Sequence, residues 1–73
     1  PDSAGAMYEV ALALTQKGDY ASAIEMALKS ATYDTVDLAK CLALIGTAFD
    51  LAGEPRKAID VYDRAIAIVP AAG

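Results

Sequence analysis

Gly18-Asp19-Tyr20-Ala21-Ser22-Ala23-Ile24-Glu25 and Gly53-Glu54-Pro55-Arg56-Lys57-Ala58-Ile59-Asp60 are two versions of one phrase, written 35 residues apart. Each runs glycine, acid, three variable residues, alanine, isoleucine, acid. A fixed period of this size marks stacked supersecondary units, each too small to bury its own apolar face. The agreement reaches beyond the phrase: Val10 pairs with Ile45, Ala11 with Gly46, Ala13 with Ala48, Leu14 with Phe49 and Lys29 with Arg64. One helical hairpin is used twice.

Each copy reads as two helices. Met7, Val10, Ala11 and Leu14 recur at i, i+3, i+4 and i+7, one stripe of a helix. Gly18 ends that helix, because the residue after a last turn often needs positive φ and glycine takes it without strain. Asp19 is placed to cap the next helix or to face its positive dipole end, and Ala23, Ile24, Ala27 and Ala31 form the second stripe. The other copy repeats the plan with Leu42, Ile45, Gly46 and Phe49, a stop at Gly53, then Ala58, Ile59, Tyr62, Ala65 and Ile66. Glu54-Pro55 is a good helix start, since proline in a first turn loses no hydrogen bond.

With these residues laid out, the second copy resembles the tetratricopeptide repeat. Leu42, Ile45, Gly46, Phe49, Ala58, Tyr62 and Pro70 meet that family's pattern. Met7, Val10, Ala11, Leu14, Ala23 and Ala27 of the first copy keep the spacing, with Thr35 in place of the proline. The first copy also runs one residue long, an excess assigned to the Tyr33-Asp34-Thr35 connection. The resemblance spans residues 6–70 and implies an all-α chain whose two helix-turn-helix hairpins stack as a short right-handed α-solenoid. One domain covers residues 1–73, with repeats at about 4–34 and 36–70, and helices are expected over 3–17, 20–32, 36–52 and 55–69. Ala11 with Ala23, and Gly46 with Ala58, are the small residues expected to let paired helices approach. Glycine inside a helix costs about 1 kcal/mol against alanine, so Gly46 calls for a packing reason.

Composition narrows the function. At 73 residues the core is small, yet 56% of residues are hydrophobic, so apolar surface has to be covered. A net charge of −4 without a basic cluster argues against nucleic acid. No apolar run is long enough for a membrane span, and no signal-peptide pattern is present. Beginning at Pro1, the chain reads as an excised fragment, and its compartment stays open. With no histidine and one cysteine, neither a zinc cluster nor an internal disulfide is expected. Cys41 reads as a small buried thiol. Asp34 and Asp37 read as helix-initiating acids, with Asp34 or Thr35 as the cap, rather than as a metal pair. Glu25 with Lys29, and Asp60 with Arg64, are stabilising i, i+4 pairs on solvated faces. No cofactor, metal site or catalytic residue is expected, and the chain is not expected to be an enzyme.

Function is therefore expected on a surface. The resemblance implies a concave groove lined by the first helix of each hairpin, here Tyr8, Glu9, Leu12, Thr15 and Gln16 together with Lys40, Ala43, Leu44, Thr47, Asp50 and Leu51. Leu12, Ala43, Leu44 and Leu51 lie off the main stripes, so these helices are apolar on more than one face. The expected partner is a protein or peptide with aliphatic anchors and a basic residue. The alternative is a structural segment that packs on further repeats or forms a homodimer through its apolar ends. Val61, Ile66, Ile68 and Val69 spread around the last helix and favour a symmetric dimer or an exchanged hairpin.

Overall fold

Residues 3–33 and 37–68 are described by the computed structural model. They form four helices, α1 (Ser3–Lys17), α2 (Tyr20–Tyr33), α3 (Leu38–Leu51) and α4 (Pro55–Ile68). The two tight turns are built alike. Gly18 at φ +96 and Gly53 at φ +83 take the left-handed conformation. Asp19 N–H then donates to the Leu14 carbonyl, and Glu54 N–H to the Phe49 carbonyl, each at 2.9 Å. These six-to-one bonds satisfy carbonyls that a helix end leaves orphaned. The following helix starts at once: Ala23 N–H donates to the Asp19 carbonyl and Ala58 N–H to the Glu54 carbonyl. The Asp19 carboxylate also accepts from Ser22 N–H at 3.4 Å, as an N-cap should.

The third helix begins later than its pattern suggests. Asp37 is its N-cap residue, with its carbonyl accepting from Cys41 N–H at 3.0 Å but without a side-chain capping bond. Asp34, Thr35 and Val36, where the cap and the extra residue of the first copy were expected, lie outside the described residues, as do Val69 and Pro70. Among the described residues the ion pair formed is Glu54 with Lys57, at 2.9 Å and well exposed, not Glu25–Lys29 or Asp60–Arg64. The Lys57 ammonium also stands 5.7 Å from the centre of the Phe49 ring, across the α3–α4 turn.

α1 packs on α2, α3 on α4, and α2 on α3, while α1 touches α3 only lightly. Among the described helices, α4 rests on α3 alone. The centre is built from small residues: Ala11, Ala23, Ala27, Cys41, Ala48 and Ala58 are buried, together with Leu44 and Ile45. Alanine adds little apolar area, but it favours the helix and lets axes approach closely. The four small residues expected at the hairpin contacts are all buried. The atoms nearest to a Cβ built on Gly46 belong to the ring of Tyr62. A Cβ placed there would stand 2.6 Å from Tyr62 Cε1 and 2.8 Å from Cδ1.

Three residues of the expected stripes face outward. Val10 is 46% exposed, Ile59 60% and Ile66 70%. The inward face of α4 is instead Ala58, Val61, Tyr62 and Ala65, because that helix has a neighbour on one side only. The Cα extents of 37 × 35 × 16 Å describe a slab about two helix layers thick. Every helix therefore keeps a face to solvent.

Candidate functional site

The upper ends of α1, α2 and α3 enclose a cleft of about 370 Å³, lined by Ala4, Gly5, Tyr8, Glu9, Ser30, Asp37, Lys40 and Cys41. Its floor is polar and fully satisfied. Ser30, near the end of α2, donates its hydroxyl to the Ala4 carbonyl at 2.8 Å and so ties α2 to the first turn of α1. The Cys41 thiol on α3 points at the same hydroxyl, with its sulfur 3.7 Å from Ser30 Oγ. One serine thus joins three helices at a buried point, where an unpaired hydroxyl would be costly.

The rim is charged. Lys40 on α3 holds its ammonium 4.3 Å from the centre of the Tyr8 ring on α1, a cation–π contact that spans the mouth between the hairpins. Glu9 and Asp37 are exposed beside it. The cleft therefore presents an aromatic face, one ammonium and two carboxylates over a hydroxyl and a thiol. Among the described residues no group of three or more histidines, cysteines and acids could hold a metal ion. No helix among the described residues is long and apolar enough to cross a membrane.

Of the residues expected to line a groove, Tyr8, Glu9 and Lys40 come together here. Gln16, Ala43, Thr47, Asp50 and Leu51 are exposed but lie outside the cleft. Thr47 donates to the Ala43 carbonyl at 3.0 Å and lies 2.9 Å from the Tyr62 hydroxyl. With its single hydrogen spent on Ala43, Thr47 accepts from Tyr62. Two expectations need correction. Leu44 is buried with Ala11, Ala27 and Ile45, where it closes the junction between the hairpins. Thr15 is buried too, its hydroxyl turned back on its own helix to the Ala11 carbonyl at 2.8 Å. Leu12 is half-buried and packs against the core cluster.

Ser30 and Asp37 complete the cleft although the repeat pattern does not single them out. Ser30 carries a faint signal, as a polar residue beside the Ala23, Ala27 and Ala31 stripe whose counterpart in the second copy is Ala65. Cys41 is as buried as expected, at 1% exposure. The folded chain should react with a thiol reagent far more slowly than the chain in concentrated urea. Equal rates would show that the junction of α2 and α3 opens freely.

Comparison with family models, with curated proteins and with solved structures yields no match for this chain.

Proposed function

We propose that this chain is a protein-interaction module of the tetratricopeptide kind, which receives a segment of a partner protein at the cleft between its two hairpins. The observation that carries this reading is the meeting of Tyr8, Glu9 and Lys40 around a cavity of about 370 Å³. These residues belong to the first helices of the two hairpins, the helices that line the groove in the family the sequence resembles. A cleft with a few placed polar groups is the ordinary form of a recognition site.

The chemistry selects the ligand. Glu9 and Asp37 set two carboxylates at the rim, in a chain of net charge −4. Lys40 offsets one of them and already occupies the Tyr8 ring. A segment with a basic side chain can displace Lys40 from that ring and lie between the acids, while an aliphatic neighbour rests on the ring's flank.

Titration of the isotope-labelled chain with peptides pairing an aliphatic and a basic residue tests this reading. Saturable shifts should centre on Tyr8, Glu9, Asp37 and Lys40. Replacing Glu9 by lysine and Asp37 by asparagine, which keeps a favoured N-cap residue at the start of α3, should weaken binding about tenfold or more, equivalent to about 1.4 kcal/mol, with unchanged helicity. Shifts spread over the whole chain, or equal binding by the doubly substituted protein, would refute the cleft as the site.

A further inference from the structure

The 35-residue repeat lets each surface be compared with its counterpart in the other hairpin, and the two hairpins differ in a systematic way. Ala31 of α2 is 6% exposed, whereas its counterpart Ile66 of α4 is 70% exposed. Ile24 of α2 is half-buried against the core cluster, whereas its counterpart Ile59 is 60% exposed. The difference has one cause: α3 lies on α2, and no described helix lies on the matching side of α4. At the opposite end the comparison reverses. Ile45 of α3 is 3% exposed because it faces the first hairpin, while its counterpart Val10 of α1 is 46% exposed. Ala48 is buried and its counterpart Ala13 is exposed.

The chain therefore carries both halves of a contact it has already made once. The outer side of the second hairpin corresponds to the surface that α3 covers, and the outer side of α1 corresponds to the surface that does the covering. We propose that the occupant of the α4 face is the α1 face of a second copy, so that copies join head to tail through an interface continuous with the α2–α3 junction. The cluster closing that junction is Ala11, Ala27, Leu44 and Ile45. Its counterparts across the new interface are Gly46 and Tyr62 on one copy and Glu9 and Val10 on the next. Val10 supplies the apolar anchor and meets the ridge of Ile59 and Ile66.

A joint of this kind uses different patches on the two partners. A dimer thus keeps one free face of each kind and continues to grow unless a ring closes, whereas a symmetric pair stops at two. Light scattering over a dilution series should show mass rising past the dimer. Val10→Asp blocks one face and Ile66→Asp the other, and both side chains are exposed enough to leave the fold intact, as circular dichroism would verify. Each variant alone should be monomeric. Mixed in equal amounts, they should form a dimer and nothing larger, because the mixture has one intact pair of faces. Three results would overturn the proposal: a wild-type chain that stays monomeric at every concentration, a Val10→Asp chain that still dimerises, or a mixture that remains monomeric.

Discussion

Gly46→Leu is expected to lower stability by about 1 to 3 kcal/mol, the usual cost of overpacking, even though leucine is the far better helix former. The first atom of any side chain at this position would already stand 2.6 Å from Tyr62 Cε1. Tyr62 cannot yield without giving up its hydroxyl contact with Thr47, which holds the ring across α3. The milder change separates the two opposing effects. Gly46→Ala should destabilise in the natural background, yet stabilise by about 1 kcal/mol once Tyr62 is alanine, since only helix propensity then remains. Urea unfolding of the two single variants and the double variant gives the required cycle. The same sign in both backgrounds would mean that Tyr62 is not what holds this site to glycine.

Gly53→Val should be destabilising for a different reason. Nothing lies within 4 Å of a Cβ added at Gly53, so space is not at issue. The backbone is at φ +83, and a left-handed conformation costs a residue with a Cβ about 1 to 2 kcal/mol. A β-branched side chain lies at the upper end of that range. Gly53→Asn should cost clearly less, because asparagine tolerates this conformation. Matched thermal melts would decide, and valine and asparagine variants of equal stability would remove the strain argument. The turn matters beyond its own energy, because it sets the approach of α4 to α3 and hence the position of Tyr62.

The residues of the candidate site were legible to different degrees. Tyr8, Glu9 and Lys40 were expected through the resemblance to the tetratricopeptide repeat, which implies that the first helix of each hairpin lines one side. Ser30 and Asp37 do not, because they reach the cleft from the end of α2 and the start of α3, across a connection whose path no periodicity specifies. Leu44 and Ala43 stand side by side off the main stripe, yet one is buried and the other exposed. A turn of about 100° between neighbours separates the junction from solvent, and the stripe alone does not say how wide the covering helix is.

By itself the sequence determined what is local: the helical period, the glycine stops at positive φ, the acidic starts of α2 and α4, and the doubling of one hairpin. Each rests on chemistry within a few residues of chain, where φ, capping and side-chain spacing are decided. Tertiary structure alone decided which apolar faces are covered. Ile24 and Ile59 occupy the same place in the same phrase, and Val10 and Ile45 likewise, yet one of each pair is exposed. Burial belongs to the neighbour as much as to the residue, and a helix sequence written twice meets a different neighbour each time.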